Sequence, residues 1–257
     1  MIAHLDLTTI VISLVIGAAS GAIGAFIILR RMALVGDALS HVALPGIALA
    51  LAYGIDPFWG VVVFCLAAAV IIWTLEQKTK LYSDALVGLL FTFSLAVGIL
   101  MIPNVDILES LFGGFAPLSF PEFIFITGAG VLAIVCTFLL AKRFLFSIIS
   151  PDLAHIEAPG SKWHGLVLFV IFSFVVALGI KLVGTLLMGA LTIIPPSISK
   201  NISRSMTGYI ILSALFGGLI SLFGVTLASR MGFLPGPTII ILGIGIFVVS
   251  LFFVKEA

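Results

Sequence analysis

Long apolar runs separated by short polar breaks dominate the chain. A helix that crosses the hydrocarbon core of a bilayer needs about 20 mainly apolar residues, with roughly 17 to 25 as the working range. On that rule the pattern predicts spans near 8–29, 33–53, 57–75, 85–103, 120–141, 163–181, 183–199, 207–229 and 233–254. The expected fold is therefore all-α, a polytopic transmembrane helix bundle of about nine spans, one of which could be re-entrant. The segment 183–199 fits least well. It is short and carries Pro195-Pro196, which cannot continue a helical hydrogen-bond ladder.

The charges sharpen this pattern. Lys and Arg are held on the cytoplasmic side of membrane proteins. With the N-terminus outside, Arg30, Arg31, Lys78, Lys80, Lys142, Arg143, Lys162, Lys200, Arg204 and Lys255 all fall inside, and only Lys181 and Arg230 of the 12 basic residues fall outside. One span more or fewer in the middle would break that bias for every later loop. Nine spans with a cytoplasmic C-terminus follow.

Composition agrees: 62% of the residues are hydrophobic and 9% charged, against roughly 25% charged in a soluble domain. The net charge of +1 supplies no basic field for nucleic acid. Cys65 and Cys136 lie far apart in apolar runs, as packing residues do. The start, Met1-Ile-Ala-His-Leu-Asp, has no basic n-region, so the first apolar run reads as a retained helix.

Short loops make residues 1–257 a single transmembrane domain. The longest cytoplasmic connection runs from about 142 to 162. Within it Ser150 can cap a helix, Pro151 suits the first helical position and Asp152 faces the positive helix end, ahead of Leu153 and Ala154. This segment reads either as an amphipathic helix on which a soluble partner docks or as an ordinary capped connection. Glycines at 17, 21, 24, 184, 189, 217, 218, 243 and 245 are the small residues that let helices approach closely in lipid.

Ionisable groups inside a span cost at least about 2.5 to 3.5 kcal/mol near its centre. Asp37 and His41, in LVGDALSHVALPG, are such groups, and their spacing of four places both on one helix face. At about 1.5 Å per residue His41 lies roughly 12 Å into its span. A carboxylate and an imidazole suit a divalent transition metal, and the same pair suits a structural ion pair or a proton relay. One helix supplies too few ligands for a closed site, which takes about four for zinc and about six for manganese. A two-fold dimer with both Asp37 and both His41 facing its axis would double the set.

Pro45-Gly46, one turn beyond His41, weakens the helix there. His4, His155 and His164 read as loop residues, and Asp56, Asp106, Glu109 and Glu122 as solvated helix ends on the outer face that could touch a delivery protein. No G-x-x-x-x-G-K-[ST] phosphate loop is present, so the chain is not expected to be an enzyme. Any ATP hydrolysis would belong to a partner. Without one, the competing reading is a proton-coupled secondary carrier.

Five blocks carry a resemblance: RRMALVGDALSHVALPGIALA at 30–50, LFGGFAPLS at 111–119, SIISPDLAHIEAPG at 147–160, VGTLLMGALTIIPPSIS at 183–199 and LPGPTIIIL at 234–242. Together and in this order they resemble the permease subunits of the zinc and manganese ABC importers of bacterial cell membranes. The resemblance implies a second permease protomer, most simply a homodimer, two cytoplasmic ATP-binding subunits and an extracytoplasmic metal-binding protein. It implies that Asp37 and His41 line the metal path, and that Ser150, Pro151, Asp152, Leu153 and Ala154 belong to an ATPase-coupling segment near 146–160. The metal is cargo, with no permanently bound cofactor. The ISPDLA wording is closer to the zinc branch, so Zn2+ is the first expectation and Mn2+, or iron, the alternative. In the 183–199 block this chain has Pro195-Pro196-Ser197 where many relatives read Pro-Ala-Ala.

Overall fold

In the computed structural model, residues 6–79, 81–101, 119–149, 161–185 and 188–254 are described. Among them the regular structure is entirely helical: α1 (Leu7–Leu29), α2 (Val35–Ala52), α3 (Pro57–Lys78), α4 (Ser83–Met101), α5 (Phe120–Ile149), α6 (Ser161–Val183), α7 (Met188–Ile202), α8 (Met206–Met231) and α9 (Pro235–Ser250), with a terminal 3-10 turn at Leu251–Phe253. Seven of the nine are long and apolar enough to cross a membrane; α4 is apolar over a shorter stretch, Ser83–Gly98. The remaining helix, α7, has 15 residues, about 22 Å at 1.5 Å per residue, and so falls short of a roughly 30 Å hydrocarbon core.

The helix ends have local causes. Asp56 accepts a hydrogen bond from the Phe58 N–H at 2.8 Å and Pro57 fills the first turn, which starts α3. Ser119 and Glu122 form part of a capping box at α5: the Ser119 N–H and hydroxyl both donate to Glu122 Oε2 at 2.8 Å. Ser205 caps α8 through the Gly208 N–H, and Gly232 ends it at φ +70°. Between α1 and α2 the chain reverses at Arg31, a non-glycine residue at φ +60°, while the Met32 N–H returns to the Ile27 carbonyl at 3.1 Å.

Two spans differ from the sequence expectation. Continuing to Ile149, α5 outruns the expected 141 by two turns. Residues 146–149 of the expected coupling segment are therefore the last turn of α5. Its core, Ser150 to Ala154, lies outside the described residues, as do His4, His155, Asp106 and Glu109. The seventh helix starts at Met188 rather than 183, because Val183 still belongs to α6 and Gly184 breaks the chain at φ +86°. A hydropathy window sees apolar continuity there and cannot see a left-handed residue.

Packing divides the bundle. The first helix packs on α8, α5, α7 and α6, and α2 packs on α3, α4, α7 and α6, so α6 and α7 bridge the two groups. Both α1 and α2 are largely buried within the chain. The α1–α8 seam is backbone on backbone. A Cβ on Gly17 would collide with the Gly217 carbonyl oxygen, one on Gly217 with the Gly17 carbonyl oxygen, and one on Gly21 with the Ser213 carbonyl oxygen. Small residues permit that approach, and van der Waals contact holds it in lipid.

Two polar clusters mark the ends of the bundle. At one end Asp56 before α3, Glu122 at the start of α5 and Lys181 at the end of α6 line a common cleft. At the other, Arg30 after α1 pairs with Glu76 late in α3 at 3.3 Å, and its guanidinium lies 4.9 Å over the Phe169 ring. The Ser83 hydroxyl, opening α4, donates to Glu76 at 2.5 Å, and Trp73 stacks on Trp163 at 5.4 Å. Thus α1 and α3 end, and α4 begins, at the face opposite the one where α3 and α5 begin and α6 ends.

Candidate functional site

Asp37 stands in the first turn of α2, where its negative charge meets the positive end of the helix dipole. The helix arrives there after the tight reversal at Arg31, and it crosses α7 immediately. A Cβ on Gly36 would lie 2.8 Å from Thr192 Oγ1 and 3.1 Å from the Gly189 Cα. A Cβ on Gly189 would collide with Asp37 Oδ1 and lie 2.6 Å from its Cγ. The Asp37 carboxylate is therefore packed directly on the α7 backbone, at a position only glycine can occupy without displacing it.

One turn later His41 is 9% exposed. Its imidazole meets Phe91 of α4 edge to face, with centroids 4.8 Å apart and rings at 89°. Its Nδ1 is buried and has no hydrogen-bond partner among the described residues. Such an atom is expensive to bury unless something engages it. Neither an ion pair nor a hydrogen bond joins His41 to Asp37 among the described residues. That removes the observation a structural Asp–His pair would require.

Pro45 adds a third donor. It lies four residues after His41 inside a helix that continues to Ala52, and proline has no N–H to give to the carbonyl four residues back. The His41 carbonyl is thereby released from the helical ladder. Gly98 of α4 approaches closely here: a Cβ on it would lie 3.4 Å from Pro45 Cδ. One turn and a half of α2 thus presents a carboxylate, an imidazole nitrogen and a freed carbonyl, flanked by α7 on the Asp37 side and α4 on the His41 side.

Among the described residues no three His, Cys, Asp or Glu side chains gather into a metal cluster. Within one chain Asp37 and His41 remain two side-chain donors. Cys65 is buried and donates to the Leu39 carbonyl at 3.5 Å, the packing role expected of it. His164 sits in the first turn of α6. Glu122 is the solvent-accessible helix end expected of it, and it is also ion-paired to Lys181 at 2.6 Å. Sequence reasoning placed Gly189 only among the close-packing glycines and missed Thr192 and Phe91, because their relevance depends on which helices flank α2. The carbonyl at His41 was available from the His41–Pro45 spacing alone.

A family model described as the ABC 3 transport family matches residues 4–254. The chain is 30% identical over 253 residues to "Manganese import system permease protein ScaB" of Streptococcus gordonii, covering 97% of this chain and 91% of that one. It is 31% identical over 255 residues to "High-affinity zinc uptake system membrane protein ZnuB" of Haemophilus influenzae, covering 96% and 95%. Among solved structures, "PsaBC from Streptococcus pneumoniae in complex with Fab" superposes with a TM-score of 0.81 at 30% identity, covering 95% of this chain and 89% of that one.

Proposed function

This chain belongs to the ABC 3 transport family, and from that membership we propose that Asp37 and His41 form the metal-handling step of an ATP-driven importer. The chain is a multi-pass membrane permease of the metal ABC importers, and its relatives include both manganese and zinc systems. In the proposed mechanism an extracytoplasmic metal-binding protein releases a divalent ion to the permease. Two cytoplasmic ATP-binding subunits drive the conformational cycle. The ion passes between two protomers, where the carboxylates and imidazoles of both chains replace part of its hydration shell.

The observation that carries this reading is the buried, unpartnered Nδ1 of His41 one turn from a carboxylate with no ion-pair partner among the described residues. An imidazole and a carboxylate accept zinc and manganese alike. Zinc is the proposed cargo, supported by the nitrogen donor and by the wording of the 147–160 segment. Manganese is the second reading, favoured by the relatives named for manganese import.

The test is radiometal uptake in cells lacking the native chain, complemented with wild type, Asp37→Asn or His41→Ala. Both variants are expected to fall to background uptake while assembling with the ATP-binding subunits as wild type does. Wild-type uptake in both would refute the proposal. Uptake that survives loss of the ATP-binding subunits but collapses with the proton gradient would favour a secondary carrier.

A further inference from the structure

At the end of the bundle where α3 and α5 begin and α6 ends, a cleft of about 220 Å³ is lined by Asp56, Phe58, Trp59, Glu122, Phe125 and Lys181, among others. A second, almost wholly apolar groove of about 200 Å³ runs between α2 and α3, and Trp59 lines it too. One indole thus separates a charged compartment from an apolar one. We propose that this pair of compartments is a binding site for a zwitterionic aminophospholipid, its ammonium and phosphate held in the Asp56–Lys181 cleft and one acyl chain laid in the Gly46–Gly60 groove.

Three features of the charged cleft favour that chemistry. Lys181 and Glu122 neutralise one another at 2.6 Å, which leaves Asp56 as the uncompensated charge among the lining residues. One Asp56 oxygen is committed to the Phe58 N–H at 2.8 Å, and the carboxylate retains acceptor capacity for an ammonium. The aromatic faces of Trp59 and Phe125, with ring centroids 6.2 Å apart, offer a cation–π surface beside it. The Lys181 ammonium has three donors and spends one on Glu122, so it can still receive a phosphate oxygen. A headgroup with net negative charge meets an unfavourable balance here, and a quaternary ammonium cannot donate to Asp56.

The apolar compartment argues for a lipid rather than a soluble zwitterion. Gly46 and Gly60 bring α2 and α3 into backbone contact, since a Cβ on Gly60 would collide with the Gly46 carbonyl oxygen. Tyr53 and Val63 rim the groove beside that crossing and are largely exposed. On α5, Phe125, Leu132 and Leu139 are exposed apolar side chains seven residues apart, and Phe125 packs beside Trp59. Aromatic residues at the ends of membrane-spanning helices are the usual anchors of the lipid interface. The site is independent of the Asp37–His41 pair.

The experiment is native mass spectrometry of the full-length chain, purified with its associated subunits and exchanged into equal mixtures of phosphatidylethanolamine, phosphatidylcholine and phosphatidylglycerol. Wild type is expected to retain phosphatidylethanolamine over the other two. Asp56→Asn keeps a helix-capping oxygen while removing the charge, and Lys181→Gln removes the cation. Each is expected to lower that retention about tenfold, the loss of one charge-assisted hydrogen bond. Soluble phosphoethanolamine is expected not to compete. Equal retention of the three lipids, or unchanged retention in both variants, would overturn the proposal. So would variants that keep lipid but lose binding of the extracytoplasmic metal-binding protein, since the cleft would then be a protein dock.

Discussion

Single atoms decide the chemistry at Asp37. Its carboxylate rests on the α7 backbone only because position 189 has no Cβ. Gly189→Ala is expected to push the carboxylate off its seat at an overpacking cost of about 1 to 3 kcal/mol. The informative readout is uptake per folded molecule beside the thermal midpoint. A role in ion passage predicts that uptake falls far more than the folded fraction, whereas mere packing predicts that the two fall together. Glu76 is a second such position. Replacing it with Ala strands the Arg30 guanidinium against Phe169, and the variant is expected to lose about 1 to 3 kcal/mol, read as a lower thermal midpoint. At this scale the sequence was legible where a charge interrupted an apolar run. Asp37 and His41 therefore stood out, while Gly189 and Phe91 acquired meaning only from neighbours far along the chain.

Among the helices, α7 is the one whose sequence argues against its existence, yet it runs unbroken through Pro195 and Pro196. The packing shows how. Pro196 cannot donate to the Thr192 carbonyl, and that oxygen sits directly where a Cβ on Gly24 of α1 would be. The freed carbonyl thus lies against a glycine Cα, a contact that weak Cα–H···O bonding favours. Gly24→Ala is expected to cost about 1 to 3 kcal/mol, because the obstructing atom is backbone. Pro196→Ala gives α7 back its N–H and lets the carbonyl withdraw. The double variant is expected to melt above the sum of the two single effects, a coupling that a thermodynamic cycle measures. Apolar runs placed a helix at each of these positions, with α7 the weakest case. The start of α7 and the end of α5 were not legible, since one depends on the left-handed Gly184 and the other on a helix continuing past its apolar stretch.

For the molecule as a whole, the membrane class followed from composition and the bundle from apolar periodicity, but the partition into an α1–α8 group and an α2–α4 group did not. Which helices touch is set by glycine placement and crossing geometry, and those signals are spread over distant segments. Among the described residues no three His, Cys, Asp or Glu side chains gather, and an ion that is only carried would add nothing to the stability of the bundle. Stripping with a chelator is expected to leave the thermal midpoint of the purified permease unchanged, and a large drop would indicate a structural metal.

The glycine seam between α1 and α8 also sets a clock on biogenesis. Gly17 emerges 200 residues before the Gly217 it must meet. At about 5 to 20 residues per second, translation leaves the most central helix of the bundle waiting roughly 10 to 40 s for its partner. Throughout that interval the notched face of α1 lies against lipid or the insertion machinery, so chains truncated before α8 should be the ones that membrane quality-control proteases destroy first.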